Sequence, residues 1–250
     1  MTAQNIKTKH AFTTRIGGAS RGIYSSLNLG QNLSDEHAHV KDNYALVCSA
    51  LGIKEEYIVC SKQIHGAIVR VVTREDRGRL YECSEPEADA LITRDSGVAL
   101  VVFVSDCVPI LLHDPVRRVI GAVHAGWRGT AADITGVAVQ RMSDEFGCLP
   151  ADIRAAIGPS ISACCYETDR DVADAMQSRL SENADTVISM RGEKYMVDLK
   201  EANRLLLRKA GVCEITISDE CTSCSSEKYW SHRRTNGRRG SQTAIIVASW

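Results

Sequence analysis

The feature that most constrains the fold of this chain is a run of seven apolar residues, 98–104, without a polar interruption. A strand with one exposed face alternates apolar and polar side chains, whereas a strand covered on both faces is apolar throughout. A membrane-spanning helix needs about 20 such residues, so the run is too short to cross a bilayer. It therefore predicts a strand inside a layered fold, with other elements packed on both of its faces.

Further short β-rich runs surround this strand, and apolar residues at helical spacing fall between them. The runs that we assign to strands are 57–64, 67–73, 108–112, 119–124, 153–157, 213–218 and 243–247. The segments with helical periodicity are 40–51, 130–147, 168–180 and 198–211. The turn His113-Asp114-Pro115 predicts a hairpin of 108–112 with 119–124. Because strands and helices interleave without a strict βαβ rhythm, we predict an α+β (mixed α/β) fold, with mixed β-sheets flanked by helices in a single compact domain over residues 1–250.

The charge balance and the N-terminal residues limit the partners of the chain. Thirty Lys and Arg against 31 Asp and Glu give a formal net charge of -1, which argues against a dedicated nucleic-acid binder. The first ten residues have no apolar core of a signal peptide, so we expect a cytoplasmic protein without a membrane anchor. Thiols stay reduced in that compartment, so we expect the ten cysteines to be core residues, ligands or nucleophiles rather than disulfides.

Polar residues at the ends of apolar runs are the candidates for chemistry. Asp106 and Cys107 interrupt an apolar segment, where a polar pair must be satisfied or must serve a site. His65 and His124 each end a predicted strand, and two imidazoles with one thiolate suit zinc with an open fourth position. A metal-free alternative makes Cys107 a nucleophile, a histidine its base and Asp106 the group that orients the base. A third interpretation also stays open, in which these residues have no chemical role and only form hydrogen bonds with neighbouring residues.

Three further segments suggest anion binding, metal binding or a structural role. The turn Gly126-Trp127-Arg128-Gly129 leads from a strand into a helix, where free N–H groups and the helix dipole favour a phosphate or carboxylate. The loop 231–240 carries four arginines among glycines and is either a phosphate loop or a solvated turn. Cys221 and Cys224 form a single Cys-x-x-Cys pair, which is weak evidence for zinc because a structural site needs four ligands. The alternatives for this pair are a structural role and a thioredoxin-type redox role, since it follows a predicted strand.

Taken together, these motifs resemble the laccase-domain family, also called the polyphenol oxidase or YfiH-like family. The likeness runs from about residue 12 to residue 247. The motifs that carry it are Arg15-x-Gly17-Gly18, Asn28-Leu29-Gly30, Gln63-x-His65-Gly66, Asp106-Cys107-Val108-Pro109, His124-Ala125-Gly126-Trp127-Arg128-Gly129, Gly158-Pro159-Ser160-Ile161, Cys165-Tyr166-Glu167, Ser231-x-Arg233-Arg234 and Gly237-Arg238.

The resemblance implies a YfiH-like fold and a zinc-dependent purine nucleoside phosphorylase. Such an enzyme cleaves adenosine, inosine and methylthioadenosine with phosphate, giving the base and (methylthio)ribose 1-phosphate, and it also deaminates adenosine. The substrates would be small molecules, with no nucleic-acid or membrane partner. A copper-dependent polyphenol oxidoreductase, the older function attached to the family, fits less well because seven histidines are few for a multicopper site. A cysteine hydrolase or deamidase using Cys107 and His124 is a further alternative.

The resemblance also implies which residues form the site. The metal, zinc with copper as the alternative, would lie on His65, Cys107 and His124. Asp106 joins these three as a candidate catalytic group. The residues expected to bind substrate or phosphate are Arg15, Asn28, Arg128, Tyr166 and Arg233.

Overall fold

A computed structural model describes residues 1–31, 34–82 and 86–250, without the side chain of Glu82. The helices are α1 His37–Leu51, α2 Trp127–Ala131, α3 Ile134–Phe146, α4 Arg170–Leu180, α5 Leu199–Lys209 and α6 His232–Thr235. The strands are β1 His10–Phe12, β2 Ile58–Val59, β3 Val69–Val71, β4 Ala90–Thr93, β5 Ala99–Val104, β6 Val108–Asp114, β7 Val119–Ala125, β8 Arg154–Ile157, β9 Glu167–Thr168, β10 Ile188–Arg191, β11 Lys194–Val197, β12 Glu214–Ile217 and β13 Gln242–Val247. Within the described residues, no helix has both the length and the apolar character needed to span a membrane.

The strands form two large mixed sheets and a small antiparallel one. The strand order is β1-β13-β5-β2 in the first sheet and β12-β8-β6-β7-β4-β3 in the second, with β10-β11-β9 as the third. Strands β6 and β7 pair antiparallel from Val108↔Ala125 to Asp114↔Val119, which confirms the predicted hairpin. Parallel pairs join β2 to β5, β3 to β4 and β12 to β8. The predicted mixed fold is therefore confirmed.

The apolar run 98–104, which contains β5, lies between two layers. Leu100 and Val102 of β5 belong to the core between the two large sheets, together with Leu111 and Ile120 of the second sheet. The alternate residues of β5, such as Val101, face the opposite way into a core shared with α1. A third core packs the other face of the second sheet against α3, α4 and α5. Strand β5 is thus covered on both faces, as its sequence predicts.

Several predicted elements differ from the structure by a few residues at their ends, and two differ more substantially. The helix expected over 130–147 is divided into α2 and α3, because the backbone at Asp133 is left-handed (φ 61°) and its side chain caps α3 at the N–H of Gly136. The strand expected over 57–64 is ordered as a strand only at Ile58–Val59. Beyond it, the backbone N–H groups of Ile64, His65 and Gly66 donate to a carboxylate instead of a neighbouring strand.

Most cysteines of the described chain are reduced. Cys48, Cys148 and Cys221 are buried free thiols, and the more exposed ones are free as well. Cys60 is disulfide-bonded, so the expectation that the cysteines form no disulfides is wrong for this residue.

Candidate active site

Three of the predicted site residues converge at the strand ends on one side of the second sheet. The ligand atoms of His65, Cys107 and His124 all lie within 4.8 Å of one another. Cys107 immediately precedes β6 and His124 lies near the end of β7, so the pairing of Val108 with Ala125 sets these two side by side. The rings of His65 and His124 meet edge to face, with centroids 4.8 Å apart.

A buried carboxylate that the sequence did not single out organises this group. Asp89 directly precedes β4, and its Oδ1 lies 2.8 Å from Nδ1 of His124. The same carboxylate accepts the N–H of His65 at 2.9 Å and that of Gly66 at 2.8 Å. These bonds stabilise the left-handed backbone at His65, whose φ is 59°. Asp89 therefore fixes both histidines, and because it occupies Nδ1 of His124, Nε2 is the ring nitrogen that can bind a ligand. In the sequence, Asp89 could have been recognised only as a carboxylate next to the apolar run that forms β4.

The electrostatics of the three residues favour a thiolate at Cys107 paired with an imidazolium at His124. Burial opposes ionisation of the Cys107 thiol, yet the charge of His124 and hydrogen bonds from His124 and His65 lower its pKa to about 6. Burial likewise opposes the imidazolium of His124, while the Cys107 thiolate and Asp89 raise the pKa of His124 to about 9. A thiolate is the form of cysteine that binds metals and attacks electrophiles. The site is therefore built around a thiolate.

The donor set fits a metal ion. Two imidazole nitrogens and one thiolate sulfur are a set used by catalytic zinc sites, with the fourth position open to water or substrate. A ligating histidine usually donates its other ring N–H to a carboxylate, and His124 has Asp89 in that position.

These residues line a cavity of about 480 Å³ that also contains three arginines. Arg128 stacks over the ring of Trp127 at 4.1 Å, and Arg233 over the ring of Tyr166 at 5.3 Å. Arg239 was not among the predicted residues, but its Nε is buried and makes no hydrogen bond in the described structure. Burial lowers the pKa of Arg239, and the negative charges of Cys107 and Asp106 oppose that shift. The cavity thus combines the metal-type donors with a cluster of guanidinium groups.

Asp106 lines the cavity, but its carboxylate is used within the fold. Oδ1 accepts the hydroxyl of Thr222 at 2.6 Å, and Oδ2 accepts the backbone N–H of Arg233 at 2.7 Å. The suggestion that Asp106 orients the histidine is therefore wrong, because Asp89 holds that position at His124. Asp106 instead connects the Cys107 turn to helix α6, which carries Arg233.

Arg15 and Asn28, two of the predicted substrate-binding residues, do not line this cavity. The guanidinium of Arg15 stacks 3.9 Å from the centroid of the Trp230 ring and donates to the carbonyls of Ser25 and Ser226. Asn28 is fully buried, where its amide oxygen accepts the N–H of Ser241 at 2.9 Å. Both side chains stabilise the loops behind the cavity, because their polar groups already have partners in the fold.

Comparison with known proteins places the chain in a family. A sequence model described as multi-copper polyphenol oxidoreductase laccase matches residues 9–249. The chain belongs to this family. It is 39% identical over 240 residues to purine nucleoside phosphorylase YlmD of Geobacillus stearothermophilus, covering 94% of this chain and 88% of that protein. It is 33% identical over 241 residues to adenosine deaminase RL5 of an unknown prokaryotic organism, covering 93% and 91%.

Solved structures of the laccase-domain family share the fold as well. The crystal structure of YlmD from Geobacillus stearothermophilus superposes with a TM-score of 0.92 at 38% identity, covering 96% of this chain and 92% of that one. The Bacillus licheniformis protein YfiH gives a TM-score of 0.92 at 36% identity, covering 95% and 91%. The resemblance drawn from the motifs and the YfiH-like fold are confirmed, and two of the relatives carry the names of enzymes, a purine nucleoside phosphorylase and an adenosine deaminase.

Proposed function

We propose that this chain is a zinc-dependent purine nucleoside phosphorylase. It would cleave adenosine, inosine and methylthioadenosine with phosphate to the base and (methylthio)ribose 1-phosphate. The observation that carries the proposal is one cavity in which His65, Cys107 and His124 lie with three arginines. This combination suits phosphorolysis, because the arginines can hold an anionic nucleophile beside a polar leaving group. Relatives named purine nucleoside phosphorylase support the same reaction.

In this proposal, the arginines bind inorganic phosphate. The guanidinium groups of Arg128, Arg233 and Arg239 offer forked donors that match phosphate oxygens, and aromatic rings hold the first two in place. Phosphate held by these groups would face the anomeric carbon of a ribose bound in the same cavity. Their fixed positive charge would stabilise the charge that moves between phosphate and ribose as the glycosidic bond opens.

His65, Cys107 and His124 would hold the metal ion, and Asp89 would keep His124 in the tautomer that binds through Nε2. When bound, a zinc ion there would supply Lewis-acid chemistry and acidify water. The same cavity would then support deamination of adenosine, as the name of the relative adenosine deaminase RL5 suggests. Tyr166 lines the cavity beside Arg233, and its ring would contact the bound nucleoside on that side.

The test is a panel of purine nucleosides incubated with and without phosphate and analysed by chromatography, alongside metal analysis of the purified protein. We expect phosphate-dependent release of adenine from adenosine, and loss of this activity in Cys107→Ala with the melting temperature retained. Cys213→Ala, at an exposed free thiol, is the matched control and should keep full activity. Unchanged turnover in Cys107→Ala would refute the assignment of Cys107.

A cysteine hydrolase is the second candidate, because Asp89, His124 and Cys107 lie in the order that activates a nucleophilic thiol. That enzyme would be inactivated by iodoacetamide and unaffected by chelators, whereas the phosphorylase would lose activity on chelation and regain it with zinc. A copper-dependent polyphenol oxidoreductase is less well supported. Of the two groups in the described chain that could hold a metal, only one contains histidine.

A further inference from the structure

A second group of metal-type ligands lies outside the set of His65, Cys107 and His124. The sulfur atoms of Cys164, Cys165, Cys221 and Cys224 are all within 4.8 Å of one another. Cys164 Sγ lies 3.8 Å from Cys165 Sγ and 3.6 Å from Cys224 Sγ, and Cys165 Sγ lies 3.4 Å from Cys224 Sγ. All four are free thiols. Four free sulfurs at one point, drawn from two distant segments, need a physical explanation.

We propose that these four cysteines form a structural zinc site. Zinc bound tetrahedrally by four thiolates at about 2.3 Å separates the sulfurs by about 3.8 Å. The three sulfur separations of 3.4 to 3.8 Å lie close to that value. The Cys221-x-x-Cys224 spacing is typical of one half of such a site, and the adjacent Cys164 and Cys165 supply the other half. A tetrahedral set of sulfur ligands selects zinc or an iron–sulfur cluster over harder ions.

The fold builds this site from two loops that follow neighbouring parallel strands. Strand β8 pairs with β12, and beyond them the N–H of Thr222 donates to the carbonyl of Ser160 at 3.0 Å. The N–H of Ser162 lies 3.4 Å from Cys221 Sγ and donates to it, which stabilises a thiolate. The parallel register thus brings the two pairs of sulfurs together.

The charge beside the site also suits a metal bound by four thiolates, which carries two net negative charges. Lys200 is 5% exposed, and its ammonium donates to the carbonyls of Ser218 and Glu220. It is close enough to interact electrostatically with Cys221 and Cys164. A buried cation there would offset part of the negative charge of the site.

Zinc at this position would hold the two loops together beside the cavity lined by His65, Cys107 and His124. The carbonyl of Cys165 accepts a hydrogen bond from the Arg233 guanidinium at 3.1 Å. Thr222, next to Cys221, donates to Asp106. The inference does not depend on the proposed function, because it concerns metal binding alone.

Cobalt(II) titration tests the site in the full chain with the first donor set disabled. Metal-free Cys107→Ala protein, kept reduced with a phosphine, is titrated with cobalt(II) and followed by absorption. We expect one cobalt per chain with strong thiolate-to-cobalt charge transfer, displaced by one equivalent of zinc. Absence of that absorption in folded Cys107→Ala protein would overturn the proposal.

Alkylation of the wild-type chain gives a second test that needs no variant at the site. Zinc should slow iodoacetamide labelling of Cys164 and Cys224 by at least about tenfold, because a metal-bound thiolate is a poor nucleophile. Cys213 is the matched control, since it is exposed and free but lies outside the cluster. Equal labelling of Cys164, Cys224 and Cys213 with and without zinc would refute the site.

Discussion

At the scale of single residues, one carboxylate decides how the two histidines are held. The Asp89 carboxylate forms hydrogen bonds with Nδ1 of His124 and with the backbone N–H groups around His65. It therefore holds the His124 ring and the loop at His65 in place together. Burial raises the pKa of Asp89, but the bonds from His124 and the backbone more than compensate, and the net effect is a lowered pKa. Asp89 therefore stays charged and keeps His124 in one orientation.

Arg239 gives a prediction at the same scale. Replacing it by Met should lower kcat/KM for phosphate about 10- to 100-fold, because a charge-assisted bond to a buried anion contributes about 1.5–3 kcal/mol. The measurement is steady-state phosphorolysis of inosine at varied phosphate. Arg238→Met is the control, since Arg238 is exposed and does not line the cavity. Equal losses in the two variants would contradict a specific role for Arg239.

At the scale of elements, the site depends on how chain segments end. The β6–β7 hairpin sets Cys107 beside His124, and the turn after β7 brings Gly126 against the site. A Cβ at Gly126 would lie 3.1 Å from the His65 ring and 3.2 Å from Cys107 Sγ. The glycine therefore lets helix α2 begin next to the ligands, so that Arg128 faces the cavity.

The start of α3 offers a test of an element that does not touch the site. Asp133 caps α3 from a left-handed backbone conformation, and Asp133→Ala loses the cap and adds strain. We expect the free energy of unfolding to fall by about 2 kcal/mol, measured by urea denaturation, with activity unchanged. Asp133→Asn is the matched control because asparagine both caps helices and tolerates this conformation. If the two variants have the same stability, the capping explanation fails.

At the scale of the whole molecule, the two large sheets and the outer helices bury ionisable groups that link stability to pH. His113 of β6 is 4% exposed, and its Nδ1 accepts the N–H of Lys7. Burial and the nearby Arg154 lower the pKa of His113 to about 4, while Asp114 opposes this. The folded protein thus disfavours the imidazolium that the unfolded chain accepts below about pH 6.5.

The resulting prediction is a loss of stability as the pH falls from about 6.5 to about 4. In this pH window the His113 side chain binds a proton in the unfolded state but not in the folded state. At about pH 4, His113 alone should therefore lower the free energy of unfolding by about 3 kcal/mol. The measurement is the free energy of unfolding at several pH values, for wild type and His113→Gln. The variant should show a shallower slope, while His37→Gln, at an exposed histidine, should keep the wild-type slope. Identical slopes in wild type and His113→Gln would exclude this origin.

The sequence by itself determined the layered position of β5 and the β6–β7 hairpin, and it singled out His65, Cys107 and His124, which the structure brings together. Each of these rests on local pattern: an unbroken apolar run, a turn between two strands, and polar residues where strands end. Only the tertiary structure decided that Asp89 rather than Asp106 orients His124, and that Arg239 lines the cavity while Arg15 does not. It also decided that Cys164 and Cys165 join Cys221 and Cys224. These choices depend on which loops meet when distant strands pair, and spacing along the chain carries no information on that.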